Sequence, residues 1–506
     1  MIFPTPRRSI AFGWPGRLDP LWGWGALGLA GSVLLSLAGP RLVDGGVVTW
    51  WFDPRILGGH RGNLIGFYLG VLTLSVAWLG LGRVLRRPKG VRLGELWVVG
   101  GLWCLPLVLG PALFSRDVYS YLAQGAIVHL GLSPYHDAPV VLGHLGQAHL
   151  LQAVSPFWRH TTAPYGPLFL YIVSLIVSVS GSNLILGVLL LRVVELAGIV
   201  LMAVFVPRLA RALGADPCRA TWLALLSPLV LLELLAASHN DALMVGLLVA
   251  GVVLALERRP LLAIAVCALA ATIKLPAATG VVLIAAAWAR TALTRSARMR
   301  IVGQAGVVAI GVGVAVSTGT GLGFGWISSG LFSTPGKVQL AITPATGLGW
   351  TIASLLHDVG IGASARGLES ILAVVAVGVT AALALVLVHR TRWATLVPYL
   401  GVVLLAAALG GPAAWPWYFS WGLVLLAACP ATQRSRVLAL ALAASVFLVK
   451  PDGVLALPLG TAPLCVIAYI AAGGGAWYAW RRRHGNQDAA GRFGPRLAVA
   501  EPEPLG

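Results

Sequence analysis

Long apolar runs follow one another along most of this chain, and short polar or basic segments separate them. Runs at 21–39, 63–82, 95–114, 184–206, 221–236, 242–256, 261–274, 276–292, 301–318, 368–388, 394–409, 421–429 and 437–449 are followed by one more that ends at Arg481. A membrane-crossing helix needs roughly 20 apolar residues, so the pattern predicts about 12 to 14 spans. A further apolar run at 167–180 is too short to cross comfortably and reads as an interfacial, half-buried helix. Counting it as a span would also put Arg208, Arg211 and Arg219 on the wrong side. The longest polar interval is 115–165. It is expected to be a large loop between the third span and the short helix.

The charges order these runs. Arg83, Arg86, Arg87, Lys89 and Arg92 form one cluster, Arg290, Arg295, Arg298 and Arg300 another, and Arg481, Arg482 and Arg483 a third. Clusters at alternate ends of apolar runs mark the cytoplasmic side. They predict both termini inside and the 115–165 loop outside, in the cytoplasmic (inner) membrane. The expected organisation is a short cytoplasmic segment at 1–20, a membrane domain at 21–483, and a polar, disordered cytoplasmic tail at 484–506.

Composition agrees with this reading. Of 506 residues, 58% are hydrophobic and only 10% charged, and the mean hydropathy is +0.86. A soluble domain carries about 25% charged residues. The net charge of +19 lies in the topological clusters, so it indicates orientation and no nucleic-acid partner. None of the five cysteines falls in the polar loop, so no disulfide framework or CxxC metal site is indicated. The loop histidines (His129, His136, His144, His149, His160) match no compact metal motif, so no metal ligand and no cofactor is assigned.

In so apolar a chain each carboxylate can be weighed singly. Glu195 and Glu233 fall within spans, where an ionisable group needs a reason. Arg192 stands three residues before Glu195, and the two are spaced to neutralise each other on one helix face. Three outer segments carry candidate chemistry. In Phe114-Ser115-Arg116-Asp117-Val118-Tyr119-Ser120-Tyr121, acid and base stand together at the membrane surface. An interfacial aromatic belt accounts for Tyr119 and Tyr121 but leaves Asp117 unexplained. In the tight turn Ser238-His239-Asn240-Asp241, Asn or Asp could simply cap the next helix. Trp415-Pro416-Trp417-Tyr418 is a cluster suited to stacking on sugar faces. Lys274 and Lys337 are among the few outer cations. A lysine there is either a snorkelling anchor or a phosphate contact.

No phosphate-binding loop or dinucleotide fingerprint is present. An enzyme working outside the inner membrane needs an activated donor already in the membrane, such as a polyprenyl-phosphate sugar. Its phosphate leaves readily, so the protein must supply a base for the acceptor hydroxyl and cations for the phosphate. The acid in the first large outer loop, the segment Ala163-Pro164-Tyr165-Gly166-Pro167-Leu168, and the Leu-Ser-Pro span leading to Asn-Asp resemble the membrane-embedded GT-C glycosyltransferases. More closely, residues 114–125, Phe-Ser-Arg-Asp-Val-Tyr-Ser-Tyr-Leu-Ala-Gln-Gly, resemble the polyprenol-phosphate-mannose-dependent α-1,6-mannosyltransferases of the MptB type.

That resemblance, over roughly residues 20–480, implies an all-α GT-C fold and inverting transfer. The donor would be polyprenyl-phosphate mannose. The acceptor would be the α-1,6-mannan core of lipomannan and lipoarabinomannan. Asp117 would be the general base. Arg116 and Lys274 would contact the donor phosphate. Tyr119, Tyr121, His239, Asn240, Asp241, Trp415, Trp417 and Tyr418 would bind donor or acceptor. Alternative readings are a transferase for another polyprenyl-phosphate sugar and, from a different class, a lipid-linked glycan flippase or secondary transporter. Against a transporter stand the absence of an evident internal repeat and the gathering of polar residues at outer ends.

Overall fold

The computed structural model describes residues 20–40, 42–43, 47–51, 57–87, 90–332, 343–362, 364–411, 414–453, 462–468 and 470–471. The segment 1–19, Lys337, the last apolar run up to 461 and the tail 484–506 lie outside the described residues. Among the described residues every regular element is helical. Six helices among the described residues are long and apolar enough to cross a membrane by themselves: Pro20–Ala38, His60–Val84, Leu184–Ala212, Arg295–Gly319, Ala365–Arg390 and Trp393–Gly410. A seventh candidate, Pro217–Ala224 with Leu229–Ala236, is bent by 53°. Six further apolar helices of 10–17 residues accompany them, Pro167–Ser180 included. The protein is therefore an all-α polytopic membrane protein. Several expected spans are shorter than a free-standing crossing requires.

Lipid-facing and core-facing positions separate as an apolar solvent demands. Ala365–Arg390 leaves Val374, Val379 and Leu385 exposed, as a peripheral helix does. The interior is tied by aromatic pairs instead. Trp78 and Trp222 stack with centroids 4.8 Å apart. Each indole Nε1 donates to the other's carbonyl oxygen at 2.8 Å, joining His60–Val84 to Pro217–Ala224.

Two features of the fold carry the site. First, Leu184–Ala212 lies directly against Asp241–Leu256. A Cβ on Gly198 would sit 2.3 Å from the carbonyl carbon and oxygen of Ala242, so only glycine permits the contact. Second, the run expected as one span at 221–236 breaks at Ser227-Pro228, because proline cannot donate to the helical ladder. It resumes as a wide π-type helix, Leu229–Ala236. Such windings re-aim the residues that follow them. Here these are Ser238-His239-Asn240-Asp241, all fully buried.

Candidate active site

The long polar interval is not an open loop. It folds into the helix Asp117–His129, a 3-10 turn Pro139–Gly143, a short helix Ala148–Ala153 and a turn Pro156–Trp158. Asp117 opens the first of these, and its N–H donates to Ser115 Oγ at 3.0 Å. Its carboxylate thus stands at a helix N-terminus, where unpaired amide N–H groups favour negative charge. Trp158 Nε1 donates to Asp117 Oδ1 at 2.8 Å. Asp117 Oδ2 faces His239 Nε2 at 3.7 Å. Asp117, Arg116, Trp158, Trp415, Trp417 and Asp452 line one cleft.

The second acid is built differently. Asp241 accepts two hydrogen bonds from Lys274 Nζ, at 2.9 and 2.8 Å, and a third from Trp421 Nε1. The ammonium lies 4.7 Å from the Tyr418 ring centroid and 5.5 Å from that of Trp421, a desolvated cation–π cage. Tyr418 and Trp421 stack at 4.5 Å. Lys274 is held near the loop by backbone bonds: Gly166 N–H donates to Ile273 O at 2.9 Å and Leu168 N–H to Thr272 O at 3.1 Å. A Cβ on Gly166 would lie 2.0 Å from Thr272 O, which explains the glycine of the Pro-Tyr-Gly-Pro segment.

The two halves of the site are clamped by Arg192, which is fully buried. Its Nη1 donates to Val108 O at 2.7 Å and to Gly110 O. Its Nη2 donates to Pro111 O and Ala236 O at 2.7 and 3.0 Å, and its Nε to Ser238 Oγ at 3.2 Å. A guanidinium has five N–H donors, and all five are used. They join the chain that leads to Asp117 with the turn that carries His239 and Asp241. The pairing of Arg192 with Glu195 expected from their spacing is therefore replaced. Four backbone carbonyls and the Ser238 hydroxyl take the whole guanidinium, and Glu195 is left in the electrostatic neighbourhood of Asp241 and Lys274. Phe114 and Ser238, which flank the two site segments, both hold positive φ, 61° and 58°. Non-glycine residues adopt such values where surrounding structure over-determines them.

The aromatic residues divide. His239 stacks on Trp417 with centroids 3.9 Å apart, and Trp417 on Trp415 at 4.9 Å. Trp415 and Trp417 line the cleft, and the buried His239 backs them. Tyr119 and Tyr121, expected to contact donor or acceptor, are instead 2% and 1% exposed. Their helix is packed on both sides, so alternate residues are not a surface pair. Tyr121 meets Tyr165 and Phe169 edge-on at 5.0 Å each. Burial, reinforced by the charge on Asp117, pushes the Tyr165 phenol well above its ordinary value, so it stays a neutral donor. Asn240 occupies the N-cap position of Asp241–Leu256 without a capping bond from its side chain. Arg116 has a task that sequence did not suggest. Its Nε and Nη2 donate to Ala153 O at 3.0 and 2.6 Å, and Nη2 to Gln152 O at 3.0 Å. It thereby straps the helix preceding Trp158. Trp158, Trp421 and the clamp Arg192 are the site residues that sequence reasoning missed. Among the described residues, no group of three or more His, Cys, Asp or Glu is placed to hold a metal ion.

Comparison with known proteins identifies the family. Residues 25–290 match the family model described as alpha-(1->6)-mannopyranosyltransferase, N-terminal domain, and residues 343–481 match the MptB C-terminal domain. An alpha-(1->6)-mannopyranosyltransferase A of Mycobacterium tuberculosis is 32% identical over 466 residues, 86% of each chain. An alpha-(1->6)-mannopyranosyltransferase B of Corynebacterium glutamicum is 28% identical over 424 residues, 78% of this chain and 70% of the relative. The A protein of the same organism is 35% identical over 218 residues, 42% and 44% of the two chains. No solved structure matches the chain. Two family segments matched in order, with a relative aligned along nearly its whole length, place the chain in the α-(1→6)-mannopyranosyltransferase family of the MptA/MptB type, as a membrane-embedded mannosyltransferase.

Proposed function

We propose that this mannosyltransferase moves mannose from polyprenyl-phosphate mannose to the 6-hydroxyl of an α-1,6-mannan or lipomannan acceptor, with inversion, on the extracytoplasmic face. The observation that carries the reading is the Asp117 carboxylate. One oxygen is pinned by Trp158, the other faces His239, and the residue itself lines the cleft. A general base needs that combination of fixed geometry and access. In the proposed reaction Asp117 removes the acceptor proton as O6 attacks C1, and the bond from C1 to the phosphate oxygen breaks on the opposite face. Trp415 and Trp417 offer the stacking surface for a sugar ring. Lys274, oriented by Asp241 and by the faces of Tyr418 and Trp421, meets the developing phosphate charge. Arg116 lines the same cleft and adds positive potential while it straps the loop.

The test uses wild type and Asp117→Asn in membranes of a host lacking the activity. They are supplied with labelled polyprenyl-phosphate mannose and a short α-1,6-mannoside, and exomannosidase digestion reads the linkage. Wild type is expected to extend the acceptor with an α-1,6 bond, and Asp117→Asn at equal abundance to lose about 100-fold or more of that activity. Equal activity of the two proteins would reject Asp117 as the base. Transfer supported only by vesicles that expose the cytoplasmic face would reject the assigned side.

A further inference from the structure

The ring of His239 has its tautomer dictated by its neighbours. Nδ1 is hydrogen-bonded to the backbone carbonyl of Glu233. A carbonyl oxygen only accepts, so Nδ1 carries a proton. In the neutral ring Nε2 is then a bare lone pair, and it is the atom that faces Asp117 Oδ2 at 3.7 Å. No other protein group bonds Nε2 among the described residues. Trp417 packs flat on the ring and fixes its plane.

Asp117 stands in the first turn of Asp117–His129 and accepts the Trp158 N–H at 2.8 Å, as a carboxylate acceptor does. An unperturbed aspartate titrates near 3.9 and an unperturbed histidine near 6.5.

We infer that His239 is a positioning residue that acts through Asp117 as its proton store, so that the Asp117–His239 pair works as the base. This rests on the mannosyl transfer proposed above. The O6–H proton of the acceptor goes to Asp117 Oδ2 as O6 bonds to C1 and the phosphate oxygen departs with its electron pair. The same proton then passes to His239 Nε2. The carboxylate is restored beside an imidazolium cation, whose proton is released to water once the product leaves. A singly charged donor and a neutral alcohol thus yield a neutral glycoside, a doubly charged polyprenyl phosphate and one proton.

The groups around the pair are Asp241, Lys274, Arg192, Asp452, Glu233, Tyr418, Glu195 near Asp241, and the Tyr165 phenol near Asp117. Asp241 lies two residues on and is neutralised by Lys274. Arg192 bonds the neighbouring Ser238. Asp452 lines the cleft. Glu233 lends its backbone carbonyl to the ring, and Tyr418 packs against Trp417.

The pair is active only while it holds no transferable proton, so kcat falls as pH drops through the value of the pair. With an imidazole in the pair, wild type is expected to show such an acid limb in kcat. Glutamine at 239 can donate to Asp117 but cannot take up a proton. His239→Gln is therefore expected to lower the plateau kcat about 10-fold or more, leave both KM values within about twofold, and move the acid limb down by at least about one pH unit. A limb that stays in place in His239→Gln overturns the inference, and a purely packing role for the ring predicts that outcome. If the variant does not accumulate, the wild-type profile decides alone: a kcat flat from pH 8 down to about 5 also overturns it. A wild type that transfers mannose with a flat profile leaves the proposed function standing. A wild type that transfers none at any pH defeats both.

Discussion

Trp158 and Asp117 are 41 residues apart in sequence, yet the indole N–H of one donates to Oδ1 of the other at 2.8 Å. That bond fixes which carboxylate oxygen is free to work. A hydrogen bond to a charged group contributes about 1.5–3 kcal/mol. Trp158→Phe keeps an aromatic side chain and removes the donor. It is expected to reduce kcat about 10-fold or more with little change in donor KM, measured by initial rates in membranes. An unchanged kcat would show that the loop alone orients the acid.

The Asp241–Lys274 pair is almost fully buried, with side-chain exposures of 0% and 12%. Removing one partner strands the other's charge, at a cost of about 3–5 kcal/mol. Lys274→Met is expected to lower the thermal midpoint in detergent markedly. Asp241→Asn combined with Lys274→Met should restore most of that stability, because a neutral pair carries no orphan charge. The double variant should not regain transfer, since no cation remains for the phosphate. Recovery of both stability and activity would leave Lys274 with a purely structural role.

Arg192 offers five donors to five acceptors. Lysine has only three donors and no planar fork. Arg192→Lys therefore leaves at least two buried acceptors unpaired, at about 1–3 kcal/mol each. The expected result is a lower thermal midpoint together with reduced transfer, because the clamp also sets the distance between Asp117 and His239. A variant of wild-type stability and activity would show that the two segments are held by packing alone.

Gly198 has no room for a side chain against Ala242. Gly198→Val is expected to force the two helices apart and to destabilise the fold by about 1–3 kcal/mol or more. Fluorescence-detected size exclusion at graded temperature would read the loss. Gly306, with open space around it, is the control expected to tolerate the same change.

Some of the site was legible from local signals, and the reason is chemical scarcity. In a chain with 17 acids among 506 residues, Asp117 and Asp241 stand out because lipid and packed interior both penalise unexplained charge. Lys274, His239 and the Trp415-Pro416-Trp417 cluster stand out for the same reason. Trp158 carried no such mark: a tryptophan in a polar interval has no periodic pattern to betray its partner. Arg192 was misread because i, i+3 spacing advertises a helix-surface pair. Its actual acceptors lie 44 to 84 residues away. Tyr119 and Tyr121 read as part of a large loop, whereas they sit on a helix buried on both sides.

The sequence by itself determined the class of the molecule. Apolar runs of spanning length can be satisfied only as helices in lipid, since backbone groups there must bond within their own segment. It also singled out the first acid and its aromatic neighbours. Only the tertiary structure decided what each charge is for. Asp117 meets Trp158 and His239, Asp241 meets Lys274, and Arg192 meets five acceptors from two segments. All of these are contacts between residues far apart in the chain. Their partners are set by where the break at Ser227-Pro228 and the close approach at Gly198 bring the backbone, and local periodicity carries no record of either.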